Sequence, residues 1–599
     1  MDALLQQLEK ICHIENTQQA LEAYQQLERV LVQASNDQKA EFYLHYAFFM
    51  FRLENYDQCM NFFAQAQEYG FPKEEIRQIV YEAFIEPNLE ECKENYETTI
   101  EQLKDNIYID EDVSFEDLDL WFIPTLTTKK YFYNRLEEKI ISIDVDDKRA
   151  VELPRKTNPF GDYLFANDGN IYEIISYIRR IPNEKKLYVY TEKIKYLFSF
   201  FQLPDMSRFL FFMQQTKIFG NQQDVVSYFI GCNAYLPRNF ISTSQSFTKK
   251  DIEDLIHEIH NQRIHDLTRK RDNILLTIGI PSYNRGHRAY ESVIHHLQSE
   301  YDDEIEIVVS NNGCTNETSC LYEQIEKIQD ARLCYCSLSE VQDLFFNLKN
   351  VFIHSNGKFV LCLSDEDILL LDRIDILLES IARIENVSMV KICGDGQQVI
   401  LETKLTACGK EAIENCGFTG NYLSGLIFNL EILKHSGCLE YSSERIKKNL
   451  ILQWYPHLFL ELVMCIKGDV MEIAEILFHE GVPEYVEQES QLFEYAYKEA
   501  RIEQHRAFLF LFLDFPDFYT DDDILRCLYR RLCYKTFYLI NMAISKYYRP
   551  LGCDIKSILR EVFEECIAGL SQIYLNKDNL KFKEDSNMIY QCLNYYMNQ

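Results

Sequence analysis

The stretch ILLTIGIPSYNRG (Ile274–Gly286) decides how this chain is read. Its apolar run shows no alternation, which predicts a strand buried on both faces, and Pro281, Ser282, Asn284 and Gly286 close it into a loop. A helix follows, with Tyr290, Val293, Ile294 and Leu297 on one side. Working outward, EIEIVVSNNGCTNET (Glu304–Thr318) repeats the plan: a second buried strand, a small polar turn, then a helix carrying Leu321, Ile325 and Ile328. RLCYCSL (Arg332–Leu338) is a third strand, and a helix over Leu344–His354 leads to GKFVLCLSDEDILL (Gly357–Leu370). That last strand runs directly into Asp365-Glu366-Asp367. Strands and helices in strict alternation predict an open parallel sheet, whose ligands bind at the C-terminal ends of its strands.

Carboxylates crowded at a strand end are costly unless something cationic neutralises them. Mg²⁺ or Mn²⁺ carrying a diphosphate is one solution, since both take oxygen ligands from one or two carboxylates plus phosphate. An acidic helix N-terminus offsetting the helix dipole is the other. Two further acidic runs show how little such a run says alone. Thr520–Asp523 precedes an apolar helix and reads as an N-cap, and Asp144–Asp147 lies outside the patterned sheet. The Asp365–Asp367 run differs by standing at the fourth strand end of a regular α/β unit.

IGIPSYNRG, EIVVSNNGCTNET and GKFVLCLSDED, in this order and at these intervals, resemble the motifs of the family 2 glycosyltransferases, nucleotide-sugar-dependent enzymes of GT-A fold. The resemblance runs from Ile274 to Glu480 and implies such a domain within a larger, bacterial-type multidomain protein. It implies that Pro281, Tyr283 and Asn284 hold the nucleobase and ribose, with Tyr283 stacked on the base, and that Arg285 approaches the diphosphate. Asn311 stands where the family usually has a base-contacting Asp, and Asn316 also replaces a usual Asp. Asp365 matches the first acid, near ribose or metal. The metal ligand is Glu366 or Asp367, with Asp367 completing a D-x-D motif. The implied cofactor is Mn²⁺ or Mg²⁺.

Inverting transfer needs a general base near the acceptor hydroxyl. The family places an Asp at the start of a later helix. The matching region, Gly420–Leu433 and then Lys448–Gly468, has no Glu-Asp pair. His457 falls near that place with a pKa suited to the work, and Glu461 lies one turn further on the same helix face. The implied function is a metal-dependent inverting glycosyltransferase of hexosyltransferase type. It would take a nucleotide-diphosphate sugar, with UDP-sugar as the expected donor, to a surface glycan, lipid-linked intermediate or protein acceptor. Because acids are missing at Asn311, Asn316 and the base position, a catalytically inactive GT-A scaffold is the second reading. The helical N-terminal region would then bind protein partners.

The remaining sequence frames this domain. Over 599 residues, 94 acidic and 61 basic side chains give a net charge of −33. Such a chain is repelled by phosphate backbones, which excludes a broad nucleic-acid surface. The N-terminus lacks the basic and apolar regions of a secretory signal, and no stretch reaches the ~20 apolar residues of a membrane span. Nineteen scattered cysteines, with no second Cys/His pair at zinc-finger spacing, read as reduced and mostly buried thiols. The expected location is cytoplasmic, with peripheral membrane contact left open.

The expected architecture is α/β, with the GT-A domain at residues 273–480. Residues 1–114 read as an α-helical region with a tetratricopeptide-like (TPR-like) hairpin over Phe42–Pro72. Residues 115–235 read as a small parallel α/β unit and 236–272 as a connector whose helix, carrying His257, His260 and His265, is solvated all round. Residues 481–599 read as a helical C-terminal region.

Overall fold

The structure is a computed structural model and describes residues 2–125, 129–143, 153–396, 400–419, 423–482, 497–574 and 580–598. The chain divides into two compact units, one of residues 1–232 and 236–259, the other of 233–235 and 260–599.

The first unit opens with helices. Asn36–Arg52 and Tyr56–Glu68 are two helices joined through Glu54 and Asn55. Ser35 and Gln38 make a reciprocal capping box on the first helix, and Asn55 caps the second by accepting from Gln58 N. Glu54 turns between them with φ at +56°. Tyr24 stacks on Tyr46 at 4.5 Å between ring centroids, inside the helices' core.

Strand β1 (Ile107–Tyr108) comes next, then β2 (Leu120–Ile123), β3 (Lys130–Asn134) and β4 (Lys139–Ile143). The last three form an antiparallel meander. Period-two alternation splits its side chains between two cores. Ile123, Tyr131, Tyr133 and Ile140 join the helical core, while Leu120, Phe122 and Phe132 join the core of a parallel sheet. That sheet has the order β1-β7-β6-β5-β8, with β5 at Tyr163–Ala166, β6 at Leu187–Tyr190, β7 at Thr216–Phe219 and β8 at Asn239–Ser242. The segment from β2 to β4 is thus antiparallel, not part of the parallel sheet expected over residues 115–235. A tight turn decides this: Asn134 Oδ1 accepts from Leu136 N and Glu137 N, each at 3.0 Å. Asp144–Asp147 lie outside the described residues.

Among its described residues the second unit holds nine strands: β9 (Leu276–Ser282), β10 (Ile305–Asn311), β11 (Leu333–Ser337), β12 (Phe359–Cys362), β13 (Ile368–Leu369), β14 (Val387–Gly394), β15 (Lys404–Thr406), β16 (Leu426–Asn429) and β17 (Asp469–His479). Their order is β11-β10-β9-β12-β16-β14-β17-β13, with β15 also on β17. The first four are parallel, and β16 is antiparallel to both its neighbours. The chain steps outward from β9 to β11, then the helix Leu344–His354 carries it back across the sheet to β12. The strand order therefore reverses between β9 and β12, which opens a crevice beyond their C-terminal ends. Gly279 permits the crossing, because a Cβ there would sit 2.4 Å from Val351 Cγ1 of that helix.

Helices Pro456–Lys467, Lys498–Asp514, Asp522–Ala543, Ile555–Ile573 and Leu580–Met597 share one core with the sheet, running from Val308 and Phe428 through Phe512 and Phe537 to Leu570. Thr520–Asp523 is the expected cap: Asp521 accepts from Asp523 N and Ile524 N. The connector helix, Lys249–His265, departs from its expectation. His260 and Arg263 are buried, and Arg263 Nη1 lies 3.3 Å from Asp302 and 3.4 Å from Asp303. These two side chains meet carboxylates in the segment just before β10 rather than water, while the other charges of the helix are exposed. Among the described residues, no helix is long and apolar enough to cross a membrane.

Candidate functional site

β9 ends at Ser282, and the loop Tyr283–Arg285 turns at once into the helix Gly286–Leu297. Pro281 is buried opposite Ser310 of β10, while the Tyr283 ring is 45% exposed at the strand end. Asn284 takes φ of +55°, a conformation that asparagine tolerates better than most residues. Its carbonyl accepts from Asn316 Nδ2 at 2.7 Å, which ties the loops after β9 and β10 together.

This geometry explains both departures from aspartate. Asn316 donates through Nδ2 while its Oδ1 accepts from Thr318 N and Oγ1. Asn311, at the end of β10, donates to Tyr335 Oη at 3.1 Å and accepts from Cys314 N at 3.0 Å. A carboxylate could do only the accepting half of either task.

Beyond β12 the chain delivers Asp365 into the crevice, where it is buried. Ser282 Oγ donates to its Oδ2 at 2.5 Å, and Arg285 Nη2 lies 2.6 Å from its Oδ1. The same guanidinium reaches Glu366 Oε2 at 2.8 Å through Nη1, so Arg285 bridges two carboxylates. Tyr322 Oη stands 2.6 Å from Ser282 Oγ. Because the Ser282 proton goes to Asp365, the tyrosine donates to the serine. Burial pushes Tyr322 up to about 12, which keeps that proton in place. Asp367 turns the other way: Ser424 Oγ donates to its Oδ2 at 2.5 Å and Gly481 N to its Oδ1 at 2.9 Å. Gly481 is required there, since a Cβ would lie 2.0 Å from Glu366 O.

Pro281, Tyr283, Asn284, Arg285, Asn311, Asp365, Glu366 and Asp367 thus gather at the ends of β9, β10 and β12. His457 and Glu461 stand apart from these contacts, on Pro456–Lys467. His457 is buried next to Tyr455, with ring centroids 6.3 Å apart. Glu461 is 0% exposed and ion-paired with Lys391 of β14. Lys391 also donates to Cys416 O at 2.5 Å and Thr419 Oγ1 at 2.7 Å. Ser282, Tyr322, Ser424 and Gly481 are the contributors that motif reading passes over. Ser282 lies inside the first motif, whereas Ser424 and Gly481 are brought in from far along the chain.

The acidic group suits a hard divalent cation. Its donors are all carboxylate oxygens, and Arg285 balances only one of three negative charges within the contacts described. Asp365, Glu366 and Asp367 are the residues that would hold it.

Residues 277–406 match the model of glycosyl transferase family 2. No curated protein matches the chain. Among solved structures, S. aureus TarS 1-349 is 12% identical, over 54% of this chain and 92% of that one, with a TM-score of 0.34. TarS 1-349 in complex with UDP-GlcNAc is 14% identical over 54% and 93%, at 0.33. The mannosyltransferase PcManGT from Pyrobaculum calidifontis, in complex with GDP-Man and Mn²⁺, is 14% identical over 58% and 95%, at 0.30. The family match spans β10 to β15 and most of β9, and so takes in the strand ends that carry Tyr283, Arg285 and Asp365–Asp367.

Proposed function

We propose that this chain transfers a sugar, with inversion, from a nucleotide-diphosphate donor to a hydroxyl acceptor on a glycan, a lipid-linked intermediate or a protein. The observation that carries the reading is the meeting of Ser282, Arg285 and Asp365 at the reversal of strand order, inside the family-matched segment.

In this reading the exposed Tyr283 ring stacks on the base, uracil being the expected one, and Asn284 and Asn311 line the nucleoside. Arg285, already poised as a two-pronged donor, exchanges its carboxylates for diphosphate oxygens. Ser282 and Tyr322 hold Asp365 in one rotamer, and Ser424 and Gly481 do the same for Asp367. Mn²⁺ or Mg²⁺ bound by Asp367, with Glu366 and Asp365, supplies positive charge against the departing nucleoside diphosphate. Deprotonation of the acceptor is assigned to His457. Glu461 is assigned to keeping Lys391 in place, since its carboxylate is committed to that ion pair.

Donor hydrolysis and transfer, assayed over a panel of nucleotide sugars with Mn²⁺, test this directly. Asp367→Ala is expected to lower turnover by about 100-fold or more, with the chain still folded by circular dichroism. Excess chelator is expected to act likewise on the parent protein. Full activity in either case removes the metal assignment. No hydrolysis of any donor by the parent protein favours the inactive scaffold.

A further inference from the structure

Away from the strand ends, four helices of the second unit each turn one soft ligand into a common interior. His505 comes from Lys498–Asp514, Cys533 from Asp522–Ala543, Cys566 from Ile555–Ile573 and Cys592 from Leu580–Met597. All four are buried. The ligand atoms of His505, Cys533 and Cys566 lie within 4.8 Å of one another. The Cys592 thiol lies outside that group of three, 3.9 Å from Met588 Sδ, and interacts electrostatically with both other thiols. Free cysteines are common in cores, so their gathering alone would mean packing. The hydrogen bonds of the histidine add a second observation.

His505 Nδ1 is 2.9 Å from Thr536 Oγ1, and Nε2 is 3.2 Å from Tyr529 Oη. Neither hydroxyl has a proton to give the ring. Thr536 donates to Leu532 O at 2.9 Å, and Tyr529 donates to Cys566 O at 2.6 Å. A neutral imidazole has one N–H, and the shorter contact takes it to Thr536. The Nε2 lone pair then faces an oxygen lone pair, in a fully buried place. A cation bound at Nε2 resolves this. The sulfurs stand on that same side, where Cys533 interacts with the Tyr529 hydroxyl.

We propose that His505 Nε2 and the thiolates of Cys533 and Cys566, completed by Cys592, bind one Zn²⁺ that ties the four helices together. One imidazole and three sulfurs form a closed, tetrahedral, soft donor set, which suits zinc and not the oxygen-seeking ions of the acidic group. Zn–S bonds of about 2.3 Å and Zn–N bonds of about 2.0 Å put ligand atoms roughly 3.5–3.8 Å apart. Reaching that draws the three ligand atoms together from within 4.8 Å of one another and brings the Cys592 thiol in from outside the group. On binding, each thiol releases its proton to solvent, and the Tyr529 ring gives up its contact with Nε2. The Nδ1–H···Thr536 bond stays as the outer partner that orients the imidazole.

The test uses the full chain, reduced, loaded with Zn²⁺ and dialysed, with metal content measured by mass spectrometry. About one zinc per chain is expected, and Co²⁺ in its place should give a thiolate-to-cobalt charge-transfer band. The Cys533→Ser/Cys566→Ser double variant should lose both signals, whereas Cys408→Ser, at an exposed thiol, should keep them. If the double variant does not fold, alkylation of the parent chain decides: zinc should protect Cys533, Cys566 and Cys592 together. No retained zinc, no charge-transfer band, equal alkylation with and without zinc, or a Cys533–Cys566 disulfide each overturns the proposal.

Discussion

Arg285 illustrates how single side chains set this site. Its guanidinium spans Asp365 and Glu366, so two carboxylates at one strand end share one cationic side chain. His457 carries the sharpest claim at this scale. As the proposed base, its removal should strike the chemical step and spare donor binding. We expect His457→Gln to lower kcat by about 100-fold or more while the affinity for the nucleoside diphosphate, read by calorimetric titration, stays unchanged. An unaltered kcat removes the histidine from the mechanism. His296 gives a second prediction. Burial, and next the neighbouring His295, push it from 6.5 down to about 3. The unfolded chain therefore binds a proton below about pH 6.5 that the folded chain refuses until about pH 3. Stability from this group is complete above pH 6.5 and falls as pH drops. The loss is about 2 kcal/mol by roughly pH 5. Denaturant melts at several pH values should show that slope, and His296→Gln should flatten it.

At the scale of elements, the pairing of β14 with the helix Pro456–Lys467 rests on a buried charge pair, Lys391 with Glu461. Removing one partner leaves the other charged and buried. Glu461→Leu should cost about 3–5 kcal/mol, and adding Lys391→Met should recover most of it, as read from unfolding midpoints. The alternation of strands and helices from Ile274 to Leu370 was legible because a doubly covered sheet demands continuous apolar strands with polar ends. Asp365 was legible for the same reason. The connector helix departs from the solvated reading because His260 and Arg263 are buried against the charges of Asp302 and Asp303, Asp302 lying 39 residues beyond Arg263 in the chain. The meander was missed because an asparagine turn, not strand composition, sets the direction of β4. Ser424 and the Gly481 amide were invisible, since local patterns do not report which distant loops return to a strand end.

For the whole molecule, two units with separate cores should not melt as one. Scanning calorimetry is expected to resolve more than one transition. A nucleoside diphosphate with Mn²⁺ at about 100 times its Kd should stabilise only the transition of the unit containing β9 to β17, by about 2.7 kcal/mol. A uniform shift, or a single sharp transition, would contradict that independence. The bonds to Asp367 also have a consequence in time. The family-matched segment ends at residue 406, yet the donors that fix this carboxylate are Ser424 and Gly481. During synthesis the strands β9 to β12 are complete well before the groups that orient the last acid emerge. A nascent chain halted at the family boundary therefore has the parallel strands β9 to β12 but neither β16 nor β17, so both the sheet and the crevice stay unfinished until the later strands join.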